Sequence, residues 1–260
     1  MFEDRMKTSA IPERVYALCQ AIKSRSMQEN DLRELLEPPD LGGSTRYFGT
    51  VRDAARQLGL ISIKEGEISL AVDAKQVASY DAMRSFIIAN IAAISQGLFF
   101  AVSREYLSLN EGVFKYKSVS EASLVEHMSK TLGVPVYEDD MRAWRFWAAF
   151  LGLGQLHDMI LLPNMHQYLK AAISVAKLKK SEEYTFTEFI SAIRPYAEIG
   201  LADLKGDRRL NMAISNGLRV LHDEGNIQLS HKLDSGDMCF LYEAELHAIK
   251  STVTHVTVRR

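Results

Sequence analysis

Apolar residues in the first seventy positions recur with helical spacing three times and then alternate. The spacing predicts helices over residues 12–24, 29–36 and 45–58, the first of which places Val15, Leu18, Cys19 and Ile22 on one face. Gly59 stands where the third helix should end, and the segment LISIKEGEISLAV alternates like two strands joined at Glu65-Gly66. Three helices followed by a hairpin are typical of a winged helix-turn-helix unit.

The last third of the chain has a similar order of patterns. Helical spacing predicts helices over residues 185–197, 201–204 and 209–223, and the capping pattern Thr185-x-x-Glu188 opens the first. Gly225 follows the third helix, and the segment NIQLSHKLDSGDMCFLY predicts two strands with a turn near Ser235-Gly236. The alternating residues 252–258 are expected to add a strand to a wing or to a partner. The pattern predicts a second winged helix-turn-helix unit.

Between these units the chain is predicted to be helical, over residues 80–100, 120–132, 138–151 and 165–178. In the third of these helices, Trp144, Trp147, Phe150 and Leu151 return to one face, which predicts a buried hub for the end units. The sequence therefore predicts a mainly α protein with two winged helix-turn-helix units flanking a central helical domain. The expected boundaries are 1–73, 74–182 and 183–260.

Composition restricts the class of protein without assigning a task. The 260 residues include 31 basic and 33 acidic side chains, a net charge of -2, and 47% are hydrophobic, which excludes intrinsic disorder and fibrous classes. Two cysteines cannot make a disulfide framework, and the first residues lack an apolar leader. The longest apolar run, residues 86–102, is interrupted and shorter than the roughly 20 residues needed to span a bilayer. We expect a cytoplasmic protein that does not bind membranes.

No catalytic pattern emerges from the sequence. Seven histidines are scattered, and His157-Asp158, the nearest to a metal-binding pair, lacks further ligands at metal-site spacing. Gly152 and Gly154 do not follow a predicted strand and are not followed by a lysine, so a helix end explains them better than a phosphate loop. The acidic residues 138–140 open a predicted helix, where they complement its dipole. We expect no enzyme activity, no catalytic residues, no metal and no cofactor.

Duplex DNA is a candidate ligand because winged helices often place the third helix in the major groove. The predicted exposed faces of the third helices supply five candidate DNA-binding residues, which are Arg46, Arg52, Arg56, Arg209 and Arg219. The predicted wings argue against tight binding, because each carries one lysine and two acids, namely Lys64 with Glu65 and Glu67, and Lys232 with Asp234 and Asp237. A module that makes about 6 to 10 phosphate contacts needs a basic stripe. Three alternatives stay open, namely tight duplex binding, weak or assisted binding through Arg46, Arg52 and Arg56, and the use of both units as protein-docking surfaces, which the wing charges favour.

Three segments suggest a family. The runs LRELLEPPDLGGSTRYFGTVRDAARQLGLI, RAWRFWAAFLGLGQ followed by LLPN, and LNMAISNGLRVLHDEGNIQL occur in an order that resembles the small G component of the bacterial Dpd cluster, which places 7-deazaguanine derivatives in DNA, and related accessory proteins of phage-defence islands. The resemblance implies a non-enzymatic accessory or adaptor that binds other proteins of that system. It supplies no catalytic residues, and DNA and a second copy of the chain remain candidate partners.

Two other functions stay open. A tandem winged-helix subunit of an SMC-type complex would also carry two such units, although an insert of about a hundred residues between them departs from that pattern. A winged-helix transcription regulator would use the same third helices on an operator, with the helical middle as its dimer interface.

Overall fold

The computed structural model describes residues 5–38, 47–94, 97–202, 204 and 208–259. About 52% of the chain is helix and 14% is strand, so the prediction of a mainly α protein is confirmed. Buried apolar side chains form a continuous core that extends from the first helix to the last strand. Within the described ranges, every helix is too short or too polar to span a bilayer.

The N-terminal region has the predicted helices and hairpin, and also a short strand that was not predicted. Its elements are α1 (Pro12–Ala21), β1 (Met27–Gln28), α2 (Glu29–Leu36), α3 (Phe48–Gln57), β2 (Ile61–Lys64) and β3 (Glu67–Leu70). The strands pair antiparallel in the order β1-β3-β2. The predicted apolar faces of α1 and α3 are buried, whereas residues 45 and 46 of the predicted third helix lie outside the described residues.

The middle region differs from the prediction in two places. Its main elements are α4 (Tyr80–Ala89), α5 (Leu98–Ser108), α6 (Ala122–Leu132), α7 (Glu138–Leu151), β4 (Gly154–His157) and β5 (Ile160–Pro163). The single helix predicted over 80–100 is wrong, because α4 ends at Ala89 and a 3₁₀ turn at Ile91–Ala93 precedes α5. The β4–β5 hairpin was not predicted, since the glycines before it indicated only the end of α7.

The C-terminal region closes its sheet with the tail of the chain. Its elements are α8 (His166–Ala176), β6 (Glu183–Thr185), α9 (Phe186–Leu201), α10 (Met212–Asp223), β7 (Ile227–Ser230), β8 (Cys239–Phe240), β9 (Thr252–Val253) and β10 (His255–Val258). The prediction that residues near 240 return as the hairpin partner of β7 is wrong, because β8 pairs with β9. Instead β10 lies between β6 and β7, which confirms that the alternating tail adds a strand.

The ends of α9 and α10 follow from local capping. Thr185 Oγ1 accepts a hydrogen bond from Glu188 N at 3.3 Å, and the Glu188 carboxylate accepts from Thr185 N at 2.8 Å, so the predicted capping box is confirmed. The helix predicted over residues 185–197 reaches a kink at Ala197, whose φ of -123° and ψ of 16° are not helical, and α9 continues beyond the kink to Leu201. The separate helix predicted to begin at residue 201 is wrong, because Leu201 ends α9. The helix predicted from residue 209 begins at Met212, since Asn211 caps it by accepting from Ile214 N at 3.0 Å.

Three helices end in the same way and lead into a strand. Gly59, Gly152 and Gly225 follow α3, α7 and α10 with φ of 69°, 83° and 68°. Each glycine N–H donates to the carbonyl three residues back, and the next N–H donates to the carbonyl five residues back. This is the Schellman arrangement, which requires a left-handed residue. The middle region therefore shares the helix, glycine and strand order of the two end regions.

Helix α7 is buried as predicted, and it packs against α1 of the N-terminal region and against α4 and α6 of the middle region. Trp144 and Trp147 are fully buried, as predicted, and their indole N–H groups donate to Ser103 Oγ of α5 at 2.8 Å and to the Ala10 carbonyl at 2.5 Å. The predicted capping role of the acidic run holds for Asp140, which accepts from Tyr137 N at 3.0 Å. Its carboxylate is also fully buried and accepts from Met6 N at 3.0 Å. The hydrogen bonds to Asp140 and from Trp147 thus hold the N-terminal segment against α7.

We predict that Gly152→Ala destabilises the protein far more than Gly59→Ala. A Cβ at residue 152 would lie 2.7 Å from Gln167 Cβ and from Tyr168 N at the start of α8, whereas nothing lies within 4 Å of one at residue 59. The left-handed conformation alone should cost about 1 kcal/mol in both variants, and the clash should add about 2 kcal/mol or more at residue 152. Urea unfolding checks this, and equal losses of stability would contradict the tight α7–α8 contact.

Candidate nucleic-acid and protein interfaces

Arg52 lies on the outer face of α3 and is engaged by two carboxylates. Its guanidinium is 2.5 Å from Glu29 Oε1 of α2 and 2.9 Å from Asp53 Oδ1, and its side chain is 26% exposed. Partial burial would lower the pKa of Arg52, but the hydrogen bonds and charges of Asp53 and Glu29 raise it above its usual value. A phosphate would have to compete with both acids for this cation.

Arg56 is one turn further along α3 and is exposed. It makes no ion pair with any residue in the described ranges, so its charge is available to an anionic ligand. Arg46, the third candidate of the N-terminal unit, lies outside the described residues. Helix α3 therefore offers Arg56 as a free cation and Arg52 as a neutralised one.

Arg209 is exposed but precedes α10 instead of lying on it, which corrects its predicted place in the third helix. Its guanidinium carbon lies 5.2 Å from the centre of the Phe240 ring, and its backbone forms a parallel bridge with the same residue. These contacts hold the segment before α10 against β8.

The prediction that Arg219 is exposed is wrong. The residue is 4% exposed, and its guanidinium donates to the carbonyls of Ile249 at 2.9 Å, of Tyr242 at 2.6 Å and of Lys250. Its Nη1 is buried without a hydrogen-bond partner in the described residues. Desolvation lowers the pKa of Arg219, since no carboxylate of the described residues pairs with the cation.

The burial of Arg219 reflects the surroundings of the whole helix. α10 packs against α8, α9, β7 and β5, and its side chains from Met212 to Leu221 are buried or half-buried. Asn216, predicted to be exposed, is half-buried and donates to the Pro163 carbonyl at 3.3 Å. The start of the helix is covered as well, since Asn110 Oδ1 accepts from Met212 N at 2.7 Å. α10 is exposed only toward its C-terminal end, at Asp223.

Arg219 organises a surface loop of residues 241–251. Leu241 N donates to the Ser251 carbonyl at 2.7 Å and closes the loop, and Tyr242 N donates to Ser215 Oγ of α10 at 2.8 Å. The guanidinium fills the interior by binding three carbonyls of the loop. A helical-wheel projection cannot indicate this role, because it assigns a charged residue to solvent.

The two predicted wings have different environments. In the β2–β3 hairpin, Lys64, Glu65 and Glu67 are all exposed, so the expected slight acidity of this wing stands. In the other predicted wing, Lys232 is paired with Glu183 at 2.5 Å. Asp237 accepts from Thr187 and Arg208, and these bonds outweigh partial burial, which raises a carboxyl pKa, so that its pKa is lowered. Neither predicted wing supplies a basic stripe within the described residues.

Histidines form pairs with carboxylates but no larger cluster. His157 and Asp158 are 3.9 Å apart and 72% and 88% exposed at the tip of the β4–β5 hairpin. His127 lies 2.7 Å from Glu105, and His166 lies 3.0 Å from Glu224, whose pKa is lowered by that hydrogen bond. Among the described residues, no three His, Cys, Asp or Glu side chains converge as metal ligands.

The sequence pattern missed one surface altogether. The outer side of α7 and the β4–β5 hairpin expose apolar side chains, including Leu156 and Met159, each 40% exposed. The short apolar run MILLP between Asp158 and Asn164 is a usable strand signal, but the prediction covered only Gly152 and Gly154 before it, as a helix end. This surface carries none of the five candidate arginines.

Comparison with protein-family models, curated proteins and solved structures found no match for this chain. The roles of the candidate residues therefore follow from burial, contacts and charge. Arg52 and Arg56 share one helix face, Arg209 stacks on Phe240 in the other end unit, and Arg219 is internal.

We predict that Arg219→Ala destabilises the protein by about 3 kcal/mol, because three carbonyls of loop 241–251 lose their donor and a cavity forms at a buried side chain. Arg56→Ala, the matched exposed control, should change the free energy of unfolding by less than about 0.5 kcal/mol. Chemical denaturation and limited proteolysis of loop 241–251 measure the two effects. Unchanged stability in Arg219→Ala would contradict a stabilising role for the hydrogen bonds between Arg219 and loop 241–251.

Proposed function

We propose that the chain consists of winged helix-turn-helix units and acts as a non-enzymatic accessory or adaptor of a bacterial DNA-modification or phage-defence system. In this role it binds other proteins of the system and contacts DNA weakly. The proposal combines the order of segments in the sequence with the packing of the third helices.

The topology of both end regions supports the winged-helix interpretation. The N-terminal region runs helix, strand, helix, helix, strand, strand. The C-terminal region has the same order with the β8–β9 pair inserted before its last strand. In both regions the last strand is central, in the orders β1-β3-β2 and β6-β10-β7. On this interpretation the first helix of the C-terminal unit is α8, and the unit extends over residues 166–258. The sequence-based boundary at 183 would divide it.

The middle region supports a third unit over residues 98–163. Helices α5, α6 and α7 precede the β4–β5 hairpin, as three helices precede β2–β3 in the first unit. Val119 N, just before the second of these helices, donates to the Met159 carbonyl at the hairpin turn. Glu29 N, at the start of α2, makes the same bond to the Gly66 carbonyl. Three units in tandem are the architecture we propose.

The observation that carries the adaptor proposal is the burial of α10. A helix packed by four elements cannot enter a major groove without unfolding its own unit, and Arg219 is committed to the loop behind it. The start of α7 is covered by the N-terminal segment and carries the acids Glu138 and Asp139, which repel phosphates. Helix α3 remains as the surface for weak DNA contact.

A transcription regulator is the second candidate, because α3 keeps a partly exposed outer face with Arg56 free. Such a regulator would bind DNA through α3 alone in each chain, and the β2–β3 wing beside α3 carries more acidic than basic side chains. Tight operator binding normally uses more phosphate contacts than this surface provides.

The test is a titration of the full chain with duplex genomic fragments at physiological salt, beside affinity purification from the native host. We predict weak, sequence-independent binding that is lost, with its salt dependence, when Arg46, Arg52 and Arg56 are all changed to Ala. A matched triple variant of Arg104, Arg142 and Arg194 to Ala removes the same charge elsewhere and should retain the binding.

Nanomolar binding to one operator-like sequence, with no protein co-purifying, would overturn the adaptor proposal in favour of the regulator. Equal loss of binding in the two triple variants would show that net charge, and not helix α3, provides the contact.

A further inference from the structure

Helix α7 and the β4–β5 hairpin form a continuous exposed surface, here called the α7–hairpin face, defined by Arg145, Phe146, Leu156, Asp158 and Met159. Leu156 and Met159 are each 40% exposed, and Phe146 is half-buried. The Arg145 guanidinium donates to Met159 Sδ at 3.0 Å and lies 4.8 Å from the centre of the Phe146 ring. These contacts join the helix and the hairpin into one surface.

The α7–hairpin face is held in place by the backbone. All four residue pairs of β4 and β5 are in register, from Gly154 with Pro163 to His157 with Ile160. The carbonyl of Met159, at the turn, accepts from Val119 N at 2.9 Å. A surface fixed in this way loses little conformational entropy when it is covered.

Two charges of this face, on Arg145 and Asp158, have no oppositely charged Lys, Arg, Asp or Glu partner among the described residues. The neighbouring Arg142 is satisfied by Glu138 at 2.8 Å and Asp139 at 3.0 Å. Arg145, by contrast, has no carboxylate of the described residues within ion-pair distance. The nearest basic partner of Asp158 is His157 at 3.9 Å, and the Asp158 side chain is 88% exposed. Arg145 therefore lacks a carboxylate partner among the described residues, and Asp158 has only the exposed His157 beside it.

We propose that the α7–hairpin face binds the same face of a second copy of this chain in a two-fold symmetric dimer, in which Arg145 of one copy pairs with Asp158 of the other. A two-fold contact brings identical surfaces together, so it needs a surface that is complementary to itself. A face with an apolar centre and one unmatched charge of each sign meets that need. The dimer does not depend on the proposed adaptor role or on DNA binding.

Sedimentation equilibrium of the full chain tests the dimer by exchanging charges. Arg145→Glu and Asp158→Lys should each weaken dimerisation at least about a hundredfold, because like charges then face each other twice per dimer. An equimolar mixture of the two variants should dimerise again, since the introduced glutamate of one copy then faces the introduced lysine of the other, and the native Asp158 faces the native Arg145. Lysine is compatible with the left-handed backbone at residue 158, because Lys177 adopts φ of 53° in this chain.

The control is Leu246→Asp, which places a charge at a leucine that is 103% exposed in loop 241–251 and should leave dimerisation unchanged. Thermal melting of each variant confirms that it is folded. A monomeric wild-type chain up to about 100 μM would overturn the proposal, since the affinity would then be weaker than that of a stable dimer. Failure of the mixed variants to dimerise would overturn the proposed pairing, and loss of the dimer in Leu246→Asp would place the interface elsewhere.

Discussion

The structure depends on the use of α7 and α10 as internal packing elements. In the middle region α7 buries two tryptophans, and the indole N–H of Trp147 bonds to the carbonyl of Ala10, which fastens the N-terminal segment to the core. Buried aromatic side chains of this size dominate the energetics of a core. At the start of the same helix, the carboxylate of Asp140 accepts a second hydrogen bond from the N-terminal segment, donated by Met6 N. The first and middle regions are therefore coupled through α7.

The same constraint applies to α10 and determines which functions remain for it. A helix that is surrounded by α8, α9, β7 and β5 stabilises its unit and cannot also bind in a groove of DNA. Arg219 illustrates the consequence, because a cation suited to a phosphate instead binds three carbonyls of the loop that covers it. Among the described residues, α3 and α7 keep exposed residues on their outer faces, such as Arg56 and Arg142, whereas α10 is exposed only toward its C-terminal end.

Local patterns predicted the elements more reliably than their pairing. Helices α1 to α3 and the β2–β3 hairpin follow from apolar spacing, the left-handed Gly59 and a two-residue turn, all of which act within a few residues. The pairing of β7 with β10 could not be predicted in this way, because 24 residues with their own short hairpin separate the two strands. The same limit misplaced Arg219, since the loop that encloses it is distant from α10 in sequence.

The site residues also differ in whether their surroundings are close to them or distant from them in sequence. Arg56 is exposed because of its position on α3, and Arg52 pairs with acids of α2 and α3. The local apolar pattern defines the faces of these two helices well. The α7–hairpin face depends on the contact between Arg145 and Met159, which are 14 residues apart on different elements. A single sequence contains no signal for that contact beyond the short apolar run of β5.

Hydrogen–deuterium exchange of the full chain, with and without excess duplex DNA, tests most directly whether α10 is a packing helix. Its amides should exchange only through global unfolding and should be unaffected by DNA, because the helix is enclosed on most sides. Any protection by DNA should fall on α3. Rapid exchange in α10, or protection of α10 by DNA, would contradict the account.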